Sequence, residues 1–260
     1  MNNTVQRTQH ILSQLCNKMC QAGYGEHMIT RLEELVCELQ QRGVGSIDRF
    51  LNRLSGRLSS EKGYLDILKE GRFAKILARN GFKEIEIEYC KEGPDIKAKY
   101  NKRTIYFEIA RKRENEREQK LQERGEAGFF LPYRTDNIIS AIQEKLKQLQ
   151  SGELNIVVLW SDTVRLGLLE IKEAIKYIQR EIKAEPEKYK ELSGVLFTDG
   201  TDTATLKQFH LFKNDKASKQ LPDRLIKKLG KLLEEDPGTL QREAAELAAV
   251  IKRRLDSRVC

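Results

Sequence analysis

Residues 154–160, LNIVVLW, form an unbroken apolar run. Such a run predicts a strand buried on both faces, because a strand with one wet face alternates apolar and polar residues. Alternation does occur upstream. Within Glu84–Tyr89, Ile85, Ile87 and Tyr89 face one way, and Glu84, Glu86 and Glu88 the other. Two further strands are predicted over Asp95–Tyr100 and Thr104–Lys112, joined by Asn101, Lys102 and Arg103. A helix precedes this group at Tyr64–Asn80, with Gly81 as its natural terminator. Another helix, Asp136–Gln150, leads into the apolar strand. Then come helix Leu168–Ala184, strand Gly194–Thr198 and a hairpin partner, Gln208–Lys213. These patterns predict an α/β fold with a central mixed sheet.

The ends read as helical. A first helix carries Val5, Ile11, Leu12, Leu15 and Met19, and the pattern breaks at Gly23 and Gly25. A second runs over Glu26–Gln41. A third runs over Ile47–Leu58, with Ser46 as its expected N-cap. A polar joint, SSEKG, follows. The tail holds helices over Asp223–Glu234 and Thr239–Arg258; Leu240, Ala244, Leu247, Val250 and Ile251 form a stripe suited to the core or to a homodimer seam. The expected organisation is a helical N-terminal module (1–60), an α/β domain (61–215) and a C-terminal helical segment (216–260).

No run of 18 apolar residues occurs, so no membrane span is expected. The N-terminus lacks the charged-then-apolar layout of a signal peptide. An odd count of five cysteines without that signal predicts reduced thiols and a cytoplasmic protein. Cys16 and Cys20 share a helix face, but no second pair with zinc-ligand spacing exists.

The net charge of +8 points to polyanionic partners. The excess is concentrated: residues 97–124 hold ten Lys/Arg against five Asp/Glu. Within and beside this basic stretch stand two carboxylates on adjacent strands, Asp95 and Glu108. Two such acids can hold a divalent metal. Mg²⁺ takes oxygen ligands and keeps several waters, so two carboxylates and a backbone carbonyl suffice. Such an ion makes water nucleophilic near neutral pH and stabilises charge at phosphorus.

The order helix, three antiparallel strands, helix, strand, with Glu70 in the first helix, Pro94-Asp95 before the second strand and Glu108 in the third, resembles the PD-(D/E)XK nuclease superfamily. The resemblance covers the middle third of the chain. It implies a restriction-endonuclease-like αβββαβ core and Mg²⁺- or Mn²⁺-dependent hydrolysis of nucleic acid, with DNA favoured. It implies metal ligation by Asp95, Glu108 and the carbonyl of Ile109, assisted by Glu70.

The family pattern also carries a lysine two residues after the third-strand acid. Here that position is Ala110. Strand alternation puts Lys112 on the Glu108 face, about 7 Å farther along. Lys97 lies two residues after Asp95. Lys145 sits on the following helix. The expected order of replacement is Lys112, then Lys97, then Lys145. Arg111, Lys112, Arg113 and Lys99 are the expected phosphate contacts, and Gly71, unusual inside a helix, marks a close approach. The second reading is a nucleic-acid-binding or regulatory module that keeps the fold without cutting.

Overall fold

The structure, a computed structural model, describes residues 3–87, 93–112, 135–161, 168–198 and 209–232. The chain opens with helices α1 (Asn3–Gln21), α2 (Glu26–Gln41), α3 (Ile47–Ser55) and α4 (Glu61–Arg79). Strands β1 (Lys83–Ile87), β2 (Ile96–Tyr100) and β3 (Arg103–Lys112) follow, then α5 (Thr135–Lys145) and β4 (Leu154–Ser161). The remainder is α6 (Leu168–Ala184), β5 (Gly194–Thr198), β6 (Phe209–Lys213) and α7 (Asp223–Leu229).

The six strands make one mixed sheet in sequence order, β1 to β6. β1, β2 and β3 are antiparallel; β4 and β5 run parallel to β3; β6 returns antiparallel. The LNIVVLW run becomes β4, buried throughout and third from one edge. The β2–β3 hairpin closes through Asn101 and Lys102, both at positive φ, as a two-residue turn matched to strand twist requires.

Each face of the sheet has its own apolar layer. Ile96, Phe107, Ile156, Val158 and Trp160 pack with Phe73 and Leu77 of α4 and with α7 through Leu225 and Leu229. On the opposite face, Ala110, Val157, Leu159 and Phe197 pack with Ile138, Ile139 and Ile142 of α5 and with Ile171 and Ile178 of α6.

The N-terminal helices are not set apart from the sheet. Leu15, Leu32, Phe50 and Leu54 belong to the same continuous cluster as Phe73 and Phe107. The expected joint SSEKG is instead the start of α4: Gly63 N donates to Ser60 Oγ at 3.2 Å, which caps the helix. Ser46 occupies the N-cap position of α3, as expected, but it sits at φ 61° and its side chain makes no capping bond. The cause lies one residue earlier, where Gly45 is pinned to β1 by bonds from its N–H to the Ile85 carbonyl and to its own carbonyl from Ile87 N–H. The chain must therefore enter α3 through a left-handed residue. Tyr89, the loop containing Phe129 and Phe130, and the helix expected at Thr239–Arg258 lie outside the described residues.

Gly71 marks a close crossing of α3 and α4. A Cβ there would stand 2.5 Å from Cζ of Phe50, a ring with no exposure. Overpacking a filled site costs about 1–3 kcal/mol. Gly71→Val is expected to lower the melting temperature by roughly 3–10 °C, and Phe50→Leu in the same chain should recover part of the loss. An unchanged melting temperature would show that the crossing is loose.

Candidate active site

β2 begins with Ile96 opposite Phe107. Continuing that register by one residue sets Asp95 opposite Glu108. β3 outruns β2 at this end, so the N–H of Ile109 has no β2 backbone partner. It donates instead to Asp95 Oδ2 at 2.7 Å. A side-chain carboxylate thus replaces a sheet acceptor, which fixes Asp95 against β3. Within a strand pair one residue's N–H and C=O face the same neighbour, so the Ile109 carbonyl is directed toward the same end of β2.

Glu108 shares a face with Ala110, the face covered by α5. Its side chain is 1% exposed. A carboxylate buried to that depth needs a counter-charge. Lys145 supplies it: Nζ lies 2.9 Å from Glu108 Oε2 and 3.3 Å from Asp95 Oδ2. The lysine is the last residue of α5, whose isoleucines anchor the helix on the sheet. Ala110 is a small member of that contact and leaves room for the helix to lie close.

From the other side of the sheet, α4 brings Glu70. Both of its oxygens accept from Arg53 of α3, at 3.0 Å from Nη1 to Oε2 and 3.1 Å from Nη2 to Oε1. Glu70 is near enough to feel the charges of Asp95, Lys145 and Glu108. The site therefore lies where β2 stops and the two layers of helices meet.

The electrostatics follow from burial. Glu108 is pushed up to about 8, first by burial and then by the Asp95 charge, while Lys145 pulls the other way. Glu70 is held well above the usual carboxylate range, again by burial first and Asp95 second, against Arg53 and Lys145. Burial alone would lower Lys145, but Asp95 and Glu108 together raise it. Three acids thus face two cations, and the cluster retains a proton that an ordinary carboxylate would have released.

These residues fit a hard divalent ion in a limited way. The donors are all oxygen, as Mg²⁺ and Mn²⁺ prefer. Glu108 Oε1 is buried and accepts no hydrogen bond among the described residues. Yet no three acid, histidine or cysteine side chains among the described residues close into a metal cage, and both oxygens of Glu70 are engaged by Arg53. The fit is to an ion held by Asp95, Glu108 and the Ile109 carbonyl, with water and substrate completing its shell.

Of the three lysines weighed from the sequence, Lys145 makes the contacts. Lys97 turns to Glu86 on its neighbouring strand, with Nζ 3.5 Å from Oε1. Lys99 likewise pairs with Glu84. Arg111 and Lys112 end β3 beside Trp160 and Ser161; their side chains, like all of Arg113, lie outside the described residues. The sequence points to Arg53 only indirectly: Phe50 lies three residues before it and Gly71 one after Glu70, and the crossing that joins the pair emerges only in the fold. Cys16, Cys20 and Cys37 are free thiols, and burial pushes Cys16 up to about 11. No described helix is long and apolar enough to cross a membrane.

The state of Glu108 makes stability depend on pH. An acid that keeps its proton longer when folded favours the folded state below its ordinary value of 4.5, and loses that advantage as pH rises through about 8. Metal-free wild type is therefore expected to lose stability over this window in urea denaturation. Glu108→Gln should flatten the dependence. Parallel profiles for the two proteins would contradict the placement of Glu108.

Comparison with family models, characterised proteins and solved structures returns no match for this chain.

Proposed function

We propose that this chain is a metal-dependent nuclease with a restriction-endonuclease-like core, hydrolysing phosphodiester bonds in nucleic acid, DNA by preference. The observation that carries the reading is the partly buried ammonium of Lys145 held between Asp95 and Glu108. Two carboxylates and one lysine converging at the end of a strand pair form the set that phosphodiester hydrolysis requires. The strand order supports it: an antiparallel β1–β2–β3 meander with β4 parallel to β3, preceded by α4 and interrupted by α5. The +8 charge and the basic stretch at 97–124 suit a polyanionic substrate. Free thiols fit a reducing cytoplasm.

Asp95, Glu108 and the Ile109 carbonyl would hold Mg²⁺ or Mn²⁺. When bound, that ion supplies an activated water and neutralises charge developing at phosphorus. The chain's own groups do the rest. Lys145 donates from Nζ, which orients the attacking water and stabilises the developing negative charge. The Ile109 N–H fixes Asp95, and the apolar layers around β3 exclude bulk water. Lys145 thus takes the role that Ala110 leaves vacant on β3.

A second reading is a nucleic-acid-binding module that does not cut. It is favoured by the direct contacts of Lys145 with both acids, which balance much of the site's charge without a metal.

Incubation of supercoiled plasmid with Mg²⁺ or Mn²⁺ separates the two. Wild type is expected to nick or linearise it, EDTA to stop the reaction, and Asp95→Ala or Glu108→Ala to abolish it. Lys145→Ala should lower the rate by about 10²–10³-fold, the loss expected for one transition-state donor. Cleavage that survives both carboxylate substitutions would remove this site as its source. Binding without cleavage in wild type would establish the second reading.

A further inference from the structure

We propose that the segment Lys213–Lys231 is a second nucleic-acid-binding surface, a basic strap that grips the backbone of a DNA duplex on the flank of the acid site. The proposal rests on the nucleic-acid reading above and deepens it. The 19 residues of the strap hold seven Lys/Arg against two Asp, an excess of five in a chain whose net charge is +8. The segment is pinned from beneath. Asn214 is buried and donates from Nδ2 to the carbonyls of Tyr189 and Leu192 at 3.0 and 2.8 Å, and Ser218 N donates to the Lys190 carbonyl at 2.7 Å. Leu221, Leu225, Leu229 and Leu232 are buried in the apolar layer that also holds Phe73 and Leu77 of α4. The cations stand outside: Lys216, Lys219, Arg224, Lys227 and Lys231 are all exposed.

Spacing makes the outer face a stripe. Arg224, Lys227 and Lys231 recur at i, i+3 and i+7, one side of a helix, away from the buried leucines. α7 ends at Leu229, but bonds from Lys231 N to the Lys228 carbonyl and from Leu232 N to that of Leu229 carry the turn onward. The stripe spans about 10 Å, the rise of about three phosphates along one strand of a duplex. Lys228 fastens the strap to the end of α4, with Nζ 3.4 Å from Asn80 Oδ1. Of the two acids, Asp215 pairs with Lys213 at 3.0 Å. A fixed surface of one sign attracts a polyanion without reading its sequence.

Register relates the strap to the acids. Lys213 of β6 stands level with Gly194, Ile156 and Phe107, and Phe107 is the residue before Glu108. Three strand spacings, about 14 Å, separate β6 from β3, which is about four base-pair steps of duplex. The leucines put α7 on the α4 side of the sheet, the side from which Glu70 enters. A duplex held by the strap therefore lies within a few base pairs of the acids.

The test is the salt dependence of binding, read in EDTA by fluorescence anisotropy with a short labelled DNA duplex. The variant is Arg224→Gln/Lys227→Gln/Lys231→Gln. All three side chains are exposed, and an unchanged melting temperature checks that the fold is kept. A control triple on the exposed side of α6, Lys172→Gln/Arg180→Gln/Lys183→Gln, removes the same charge from the opposite face of the sheet. The proposal expects the strap triple to lower the slope of log K against log salt by about 3 in magnitude and to weaken binding at low salt by about tenfold or more. The α6 triple should leave the slope in place. Equal slopes for wild type and the strap triple, or equal losses in the two triples, would overturn the proposal. So would a strap triple that loses binding to phosphatidylserine vesicles while its duplex binding stays intact, which would make the strap a membrane contact. Plasmid cleavage by wild type with no slope difference would overturn the proposal alone. A slope difference without cleavage would support the strap and overturn the nuclease reading alone. A wild type that binds no duplex would overturn both.

Discussion

The site depends on one shared ammonium. Glu108 has a side chain that is 1% exposed, and an isolated charge there would be prohibitive. Lys145 makes that burial tolerable and binds Asp95 in the same stroke. Both acids must therefore face α5, and α5 must end at the point where β2 ends. The isoleucines of that helix and the small Ala110 beneath it set this position. The arrangement is poised: burial and mutual repulsion raise two acids, and the two cations only partly offset that. A cluster that holds an extra proton can exchange it for a cation.

The sheet provides the frame for this cluster. β3 has β2 on one side and β4 on the other, and it extends past β2 at the end where the acids stand. Beyond the end of β2, Ile109 makes its bond to Asp95 instead. The N-terminal helices then join the same body. Gly45 pairs with β1, Phe50 meets Gly71, and Arg53 reaches Glu70. A segment whose pattern reads as a separate helical module is in this way part of the wall of the site.

Much of the frame is legible in residue patterns. The apolar run Leu154–Trp160 reads as a strand covered on both sides, and β4 is one. Ile85 and Ile87 alternate with Glu84 and Glu86, and the burial of β1 follows them. Glu108 stands out as a carboxylate within a strand and Asp95 as one at a strand's entrance, and the register continued by one residue sets them opposite each other. Gly71 reads as a close approach and is one. Tertiary facts are less legible. Strand alternation puts Lys97 and Lys112 near the acids in principle, but a neighbouring carboxylate, Glu86, claims Lys97. The landing point of Lys145 depends on where α5 begins and how closely Ala110 lets it lie. Ser46 has the composition of a cap, but the Gly45 bridge dictates its backbone. Arg53 is invisible until two helices cross.

The central claim is that Asp95 and Glu108 form a cation site balanced by Lys145, and direct titration of Mn²⁺ followed by electron paramagnetic resonance tests it without reference to cleavage. The account predicts that wild type binds Mn²⁺ with an affinity that rises from about pH 6 to about pH 8.5, as Glu108 gives up its proton. It predicts that Asp95→Asn and Glu108→Gln each abolish the bound signal. Mn²⁺ that fails to bind wild type, or that binds both variants as tightly, would contradict it.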